Sequence, residues 1–459
     1  MLATIPTEVR VVAGLSAAFS LAALGFCVRF FSKSSLFDLT FFFFLTYYFN
    51  YGYAFLDNQF LFSWQALPNS TNFIFLFILF LALTPVFYAS PLKANTELSL
   101  HFSLFFCIFL SAFVFLTTVN FYALLFFYEL LVIPVFFLLK LFGHYFRKTQ
   151  AAYFILIWAL LGSFFIFLGM LIFFSQQEDG VFFGFFFSTT SSFWGLFFIC
   201  LGFLVKVPLW PFHFWISRAH AEGPSNLSIF LSGVLVKLSV YGILCFLYLS
   251  PLKLNFTLFY YLALIGVIDS TLKMMVQIDS KVVIAFSTTV QMNFICFVLF
   301  SLGAEGLQTL KLGLINHLLT ASILFFFADK ILVRFNTREF FFLSGLYFYL
   351  PLLSYCLVFF IINQINFPGF LGFFLDIFFL TTSLQEHTYT SFWLFFFLFV
   401  IEHLYVLFFF LKILYGVSGN LRFVLLKDIT LAESILALYL LGISFLFGFF
   451  PLFLSLLFF

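Results

Sequence analysis

Ionisable side chains are rare in this 459-residue chain, and five of them interrupt long apolar stretches. Only 8% of the residues are charged, whereas 64% are hydrophobic. The five are Glu129, Lys206, Lys237, His317 and Asp376. Such groups can exchange protons, because burial brings the proton affinities of amino and carboxyl groups closer together and histidine already titrates near neutral pH. Their placement predicts a buried proton relay.

Structural alternatives stay open for each of them. Glu129 could hydrogen-bond to a neighbouring helix, Lys206 could reach a membrane interface, and a lone histidine such as His317 is more often a packing residue. Lys237 is the hardest to explain structurally, because apolar or small residues flank it on both sides. A buried lysine is costly without a counter-ion.

The sequence offers little for other kinds of chemistry. Lysine is a weak metal ligand and convergent carboxylates or thiolates are few, so we expect no metal site. No phosphate-binding loop, dinucleotide fingerprint or long basic run is present, so no nucleic acid partner is expected. The cysteines lack CxxC spacing, which argues against an iron–sulfur cluster, a zinc site or a redox dithiol. They are Cys27, Cys107, Cys200, Cys245, Cys296 and Cys356.

Apolar runs of 18 or more residues recur along the chain and must form the elements that hold these groups. Each can cross roughly 30 Å of hydrocarbon, and none alternates as the strands of a membrane barrel do. The predicted fold class is an all-α polytopic membrane protein with about 14 transmembrane helices. The predicted spans are 10–31, 38–57, 72–90, 98–118, 120–141, 151–175, 185–215, 226–250, 257–277, 282–303, 308–332, 341–384, 391–416 and 432–458.

Two of these spans are predicted to be discontinuous. Lys206 is followed at once by Pro208 and Pro211, and the overlong span 341–384 contains Pro368. Proline removes a backbone donor and clashes with the preceding turn. Two interrupted helices five spans apart are typical of transporters built from internal repeats, whose breaks line a polar cavity near the midplane.

We expect a single membrane domain over residues 1–459. Its parts, in order, are N-terminal helices, a first repeat, a second repeat and a C-terminal helix. Their boundaries are 1–97, 98–250, 251–416 and 417–459.

Other ionisable groups receive more ordinary interpretations. The candidate accessory residues are His213, His220, Asp279 and Lys281. The last two stand between consecutive spans, where an interfacial ion pair or a helix cap is expected. A solvated polar connection is expected to contain Asp329, Lys330, Arg334, Arg338 and Glu339. Glu402 and His403 are expected to form a local structural pair.

One stretch, LVKVPLWPFHFWISRAHAEGPSNLSIFLSGVLVKLSVYGIL, combines a lysine, a Pro-containing break, an H-x-W element, an AH-x-E-x-P turn and a second lysine. This combination resembles the central signature of the antiporter-like membrane subunits of respiratory NADH dehydrogenase (complex I). Further segments similar to that family are FYELLVIP, QIDSKVVIAFSTTVQM, HLLTASILFFFADKIL and PGFLGFFLD, so the resemblance covers roughly residues 120–415.

The resemblance implies a role for each of the five residues. Glu129 and Lys206 would form a switching ion pair, and Lys237 would be the central proton carrier. His317 would act as a lateral relay and Asp376 as the terminal acid. Separating Glu129 from Lys206 would lower the proton affinity of the lysine and push its charge onward.

Two residues depart from the family's pattern. Asp376 stands where glutamate is usual and is one methylene shorter, and Gln291 stands where a histidine is expected in the tenth helix. An acid at position 376 favours the subtype of the family that ends its relay in an acid. A sibling subtype has lysine there and continues into a long lateral helix.

The resemblance also implies a fold, a function and partners. The fold would contain two inverted five-helix repeats, and the chain would translocate protons as part of an enzyme without holding a redox centre. NADH, flavin, iron–sulfur clusters and ubiquinone would bind to other subunits. Expected partners are neighbouring antiporter-like chains, other membrane-arm subunits, lipids and protons, in the mitochondrial inner membrane. The alternatives are a subunit of a multisubunit cation/proton antiporter and a non-pumping structural subunit.

Overall fold

Helices make up nearly all of the described structure. The computed structural model describes residues 69–88, 95–118, 121–143, 147–174, 193–249, 257–301, 304–335, 337–339, 343–386, 389–416 and 428–449. In chain order the helices are α1 (Asn69–Tyr88), α2 (Asn95–Thr117), α3 (Phe121–Leu130), α4 (Val132–Phe142), α5 (Lys148–Phe174), α6 (Phe193–Lys206), α7 (Phe214–Glu222), α8 (Ser225–Phe230), α9 (Val236–Leu249), α10 (Thr257–Val276), α11 (Ser280–Ser301), α12 (Ala304–Phe335), α13 (Leu346–Tyr349), α14 (Pro351–Gln364), α15 (Leu371–Glu386), α16 (Tyr389–Tyr415) and α17 (Leu431–Phe449).

These helices follow the predicted spans. The spans 10–31 and 38–57 lie outside the described residues, and each of the others coincides with one helix or with an interrupted helix. Seven stretches of the described part are long and apolar enough to cross a membrane. Helices suit that setting because their backbone hydrogen bonds close internally. The prediction of an all-α, multi-pass membrane protein is confirmed.

The most enclosed of the described spans is the stretch Ser225–Leu247, in which almost every residue is buried. Helix α11 is nearly as completely enclosed, whereas much of α5 faces outward. The enclosed stretch contains Lys237, and α11 contains Gln291. The rest of the chain therefore shields these polar groups from the surface.

Both predicted breaks are present. Between α6 and α7 the chain passes Pro208 and Pro211, and between α14 and α15 it passes Asn366 and Pro368. Asn366 has a φ angle of 57°, in the left-handed region. The two discontinuous helices are thus confirmed. The inverted relation between the repeats and the domain boundaries stay predictions.

A close backbone contact between α5 and α6 holds Lys206 in place. A Cβ atom on Gly202 would meet the carbonyl oxygen of Gly162, and one on Gly162 would meet that of Gly202. Small residues at a helix crossing let two backbones approach in this way. Lys206 follows Gly202 by one turn, and its side chain lies beside Gly162.

The helix of Lys237 contains an irregular turn that the sequence did not predict. Leu231–Leu235 form a π-helical segment between α8 and α9. Lys237 Nζ donates a hydrogen bond of 2.9 Å to the carbonyl oxygen of Ser232 in this segment. Single π-helical turns frequently occur at functional sites. The irregular turn supplies a polar partner for an otherwise enclosed lysine.

Candidate proton-relay site

The first buried pair joins α3 to the end of α6. Lys206 Nζ donates to Glu129 Oε1 at 2.9 Å. The side chain of Lys206 is 5% exposed and that of Glu129 is 28% exposed. The same ammonium group lies 3.7 Å from the centre of the Tyr128 ring. A carboxylate and an aromatic face together stabilise a charged lysine away from water.

Tyr128 connects this pair to the helix of Lys237. The Tyr128 hydroxyl and Ser239 Oγ are 2.6 Å apart and share a hydrogen bond in which either can donate. Ser239 lies two residues after Lys237 on α9. The Tyr128–Ser239 bond therefore joins α3, which also carries Glu129, to α9, which carries Lys237.

The second buried pair is Lys237 with His317. Lys237 Nζ lies 3.2 Å from His317 Nδ1, and both residues are almost fully buried. Within the described residues, no carboxylate lies within ion-pair distance of Lys237. An ammonium group can donate to Nδ1 only when that nitrogen has a free lone pair. One proton can therefore be held on either side of this bond.

The terminal acid belongs to a network that the sequence did not predict. Asn366 Nδ2 lies 2.7 Å from Asp376 Oδ1 and 3.2 Å from His403 Nε2. The other ring nitrogen of His403 lies 2.7 Å from the carbonyl oxygen of Phe399. Asp376 is thus linked across the break of the second discontinuous helix to an imidazole on α16.

Glu402 and His403 do not pair with each other, so the expectation of a local pair is wrong. Consecutive helical residues point about 100° apart, and these two reach different neighbours. Glu402 Oε1 accepts a hydrogen bond of 3.2 Å from Gln291 Nε2 on α11, whereas His403 turns to Asn366. Gln291, one of the two departures from the family's pattern, therefore contacts a buried carboxyl group.

Among the accessory candidates, His213 belongs to a charged cluster with α10. Its Nε2 lies 3.0 Å from Asp269 Oδ2 and 3.0 Å from Lys273 Nζ. Lys273 also pairs with Asp269 at 2.5 Å. The sequence reasoning missed both α10 residues, although their i,i+4 spacing is that of a helical ion pair.

His220 and Lys281 lie together near the turn that follows α7. The His220 ring stacks on Phe325, with ring centres 4.5 Å apart. Both ring nitrogens of His220 are buried without a partner in the described part of the chain. Lys281 Nζ donates to the carbonyl oxygen of Gly223 at 3.0 Å. The structure does not bring either residue into hydrogen-bond contact with the two buried pairs.

Asp279 acts both as a helix cap and as an ion-pair partner, as its position between spans predicts. Its Oδ1 accepts from the backbone N–H of Lys281 at 3.0 Å, and its Oδ2 lies 3.1 Å from Arg338 Nε. Burial raises the pKa of the Asp279 carboxyl group, an effect that Arg338 opposes. Burial likewise raises the pKa of the nearby Glu222 carboxyl group.

The first part of the connection expected to be solvated is instead packed, whereas Glu339 at its end is exposed. Helix α12 continues to Phe335, so Asp329 is buried within it. Lys330 Nζ and Arg334 Nη2 each lie 3.0 Å from the carboxylate of Glu433 on α17. The polar composition of this segment reflects contacts between helices rather than exposure.

Comparison with known proteins places this site within a described family. The sequence profile of the NADH:quinone oxidoreductase/Mrp antiporter transmembrane family matches residues 118–404. This range contains all five predicted relay residues together with Gln291, Glu402 and His403.

Similar sequences include chains named NADH-ubiquinone oxidoreductase chain 4. The one from Acanthamoeba castellanii is 35% identical over 263 residues, which cover 54% of this chain and 52% of the relative. The one from Paramecium tetraurelia is 32% identical over 315 residues, or 67% of this chain and 65% of the relative. The chain therefore matches about half of the length of the Acanthamoeba relative.

Solved structures show the same fold at low sequence identity. A chain of respiratory complex I from Thermus thermophilus with bound NADH has a TM-score of 0.73 and 21% identity, covering 85% of this chain and 83% of that one. A chain of the Mrp complex from Dietzia sp. also has a TM-score of 0.73, with 16% identity and coverage of 85% and 82%. Because the family profile spans more than half of the sequence, the chain belongs to the NADH:quinone oxidoreductase/Mrp antiporter transmembrane family.

Proposed function

We propose that the chain is a proton-translocating membrane-arm subunit of NADH:ubiquinone oxidoreductase, of the chain 4 type. The observation that carries this proposal is the Lys237–His317 pair. A lysine enclosed without a carboxylate is poorly suited to hold a permanent charge. It is well suited to give up and regain a proton, and the imidazole beside it can exchange that proton.

The two buried pairs suggest how the transfer is driven. While Glu129 contacts Lys206, the carboxylate stabilises the ammonium charge. When the pair separates, that stabilisation is lost in a medium of low dielectric constant, where charges interact strongly. The positive charge is then favoured further along the domain, at Lys237 and His317. Asp376 would receive the proton at the far end, where the Asn366 amide orients its carboxyl group.

The chain would work as one subunit of a larger membrane complex. NADH, flavin, iron–sulfur clusters and ubiquinone would be bound by other subunits, so this chain would be part of an enzyme without a redox centre. Its partners would be other membrane-arm subunits, including neighbouring antiporter-like chains, and lipids. Relatives named chain 4 come from eukaryotes, which supports the mitochondrial inner membrane as the location.

A cation/proton antiporter subunit is the second candidate, favoured by the equal TM-score to the Mrp complex chain. The two functions differ in the ion that crosses the membrane. In sealed vesicles, proton uptake driven by NADH oxidation and independent of sodium supports the first. Sodium movement without NADH oxidation would support the second.

Substitution of Lys237 tests the relay. Lys237→Ala removes the exchangeable group, whereas Lys237→Arg keeps a positive charge on a group that does not deprotonate in proteins. In the assembled complex both variants should reduce NADH-driven proton translocation by about a hundredfold or more, the scale of a positioned proton-transfer group. Lys412→Ala, at an exposed lysine, is the matched control. Normal translocation in Lys237→Arg would show that only the charge is needed.

A further inference from the structure

The break between α14 and α15 is built around the side chain of Asn366. The backbone of Asn366 is left-handed, a conformation that asparagine tolerates better than most residues. A Cβ atom on Gly372 would collide with the side chain of Asn366, so Gly372 leaves the space that this amide occupies. Two features of the chain therefore hold one amide group between Asp376 and His403.

The hydrogen-bond directions in this network can be assigned by starting from the carbonyl oxygen of Phe399. The carbonyl oxygen of Phe399 can only accept, so His403 Nδ1 carries the hydrogen. In a neutral imidazole, Nε2 then has a free lone pair and accepts from Asn366 Nδ2. The second hydrogen of that amide nitrogen points to Asp376 Oδ1. Asn366 donates in both directions when His403 is neutral.

Protonation of His403 would reverse one of these contacts. An imidazolium donates from both ring nitrogens, so Asn366 would have to present its Oδ1 instead. The amide would then no longer donate to Asp376, and a protonated Asp376 would be the better partner. The orientation of one amide thus couples the proton on the imidazole to the proton on the carboxyl group.

A second buried carboxyl group lies next to this network. Glu402 is 1% exposed and interacts electrostatically with Asp376. Its Oε1 is bonded to Gln291, while its Oε2 is buried without a partner in the described residues. At the end of α14, just before the break, both amide atoms of Asn363 and Oε1 of Gln364 are also buried without a partner in the described part of the chain. Buried polar atoms of this kind normally bind ordered water.

We propose that Glu402 and His403 form, together with Asp376, a second proton-holding site at the break of α14 and α15. The proposal rests on the proposed function and extends its relay by two residues. Two interacting carboxyl groups favour the state in which they share one proton, because like charges oppose double ionisation. A proton leaving the Glu402 carboxyl group would bind the Asp376 carboxylate, so the pair keeps one negative charge throughout. Water among the amide groups would carry the proton, since the Asn366 amide only orients the partners.

Glu402→Gln is the direct test in the assembled complex. Glutamine retains an oxygen that accepts from Gln291, but it cannot hold a proton. We expect the ratio of protons translocated to NADH oxidised to fall, and turnover coupled to translocation to slow severalfold. In infrared difference spectra taken on reduction by NADH, a band of a protonated carboxyl group should disappear. Glu339→Gln makes the same chemical change at an exposed carboxylate and should leave both readouts unchanged.

Two further variants separate proton exchange from packing. Glu402→Asp keeps a carboxyl group and should retain most of the translocation that Glu402→Gln loses. His403→Gln keeps a polar group without a titratable one and should also lower the proton ratio. Equal losses in Glu402→Asp and Glu402→Gln would mean that shape alone matters, and would overturn the proposal.

Comparison of Lys237→Arg with Glu402→Gln distinguishes failure of the second site from failure of the whole relay. If Lys237→Arg stops translocation while Glu402→Gln keeps the normal proton ratio and infrared spectrum, the second site is wrong and the proposed function stands. If Lys237→Arg translocates normally, Lys237 is not a proton carrier, so the relay of the proposed function is wrong and the site that extends it fails with it.

Discussion

The Tyr128 ring places its face against Lys206 and its hydroxyl group against α9. The ammonium lies 3.7 Å from the ring centre, and the hydroxyl shares a 2.6 Å hydrogen bond with Ser239. One aromatic residue thus contacts the lysine of the first pair and the helix of the second. Any movement of Lys206 away from Glu129 changes the surroundings of this ring.

Tyr128→Phe separates the two contacts of the ring. The aromatic face and the Glu129–Lys206 pair remain, while the bond to Ser239 is lost. We expect a loss of about 1 kcal/mol of stability, the usual net value of a buried hydrogen bond, and slower coupled turnover. Thermal unfolding of the purified complex and NADH-driven proton uptake measure the two effects. Tyr122→Phe, at an exposed tyrosine on the same helix, is the control. Identical behaviour of the two variants would contradict a role for the Tyr128–Ser239 hydrogen bond.

Glu129→Gln removes the charge of the first pair while keeping its size. Lys206 then remains buried beside a neutral amide, and breaking a buried ion pair from one side costs about 3–5 kcal/mol. We expect a cost near the lower end of this range, because the Glu129 side chain is 28% exposed and water screens part of the interaction. We expect loss of proton translocation with the complex still assembled. Glu129→Asp should restore part of it, whereas equal activity of the Gln and wild-type proteins would exclude a switching role for the pair.

Gly202→Ala tests the helix contact that holds Lys206. The added methyl group meets the backbone of α5 at Gly162, so the two helices must separate. We expect less assembled complex and, in what assembles, weaker coupling, because Lys206 moves with α6. Gly442→Ala is a matched control, since a Cβ atom there has open space and helix propensity favours alanine by about 1 kcal/mol. Assembly at the wild-type level in both variants would show that the crossing tolerates separation.

Glu433→Gln tests the contact between α12 and α17. Lys330 and Arg334 both pair with the Glu433 carboxylate, whose side chain is 16% exposed. Loss of the charge leaves the partly buried Lys330 and Arg334 without the carboxylate that offsets their positive charges. We expect a lower melting temperature and unchanged proton translocation, because the contact lies outside the relay. A drop in translocation at an unchanged melting temperature would assign Glu433 a role in the proton path instead.

Much of this architecture is predictable because it depends on sequence features that are local. Long apolar runs specify the spans, and Pro208 and Pro368 specify the breaks, since both effects depend on neighbouring residues alone. Glu129 and Lys206 were predicted as partners from the family resemblance, and the structure places them in contact.

The remaining contacts depend on how distant helices pack. His403 reaches Asn366 only because α16 lies against the second break, and Glu402 reaches Gln291 across 111 residues of sequence. Neither of these contacts produces a periodic pattern in the sequence from which it could be predicted. The prediction of solvation is wrong from Asp329 to Arg334 for the same reason, because polar residues that contact another helix have the composition of a solvated loop.

The left-handed backbone at Asn366 also limits what mutation can leave at this position. Glycine and aspartate are the main alternatives that tolerate such a conformation. Glycine lacks the amide, and aspartate would set a negative charge between Asp376 and the lone pair of His403. Asparagine alone meets the backbone and the side-chain requirements together. In a saturation library selected for respiratory growth, position 366 should therefore be almost invariant, while the exposed Phe367 beside it accepts many replacements.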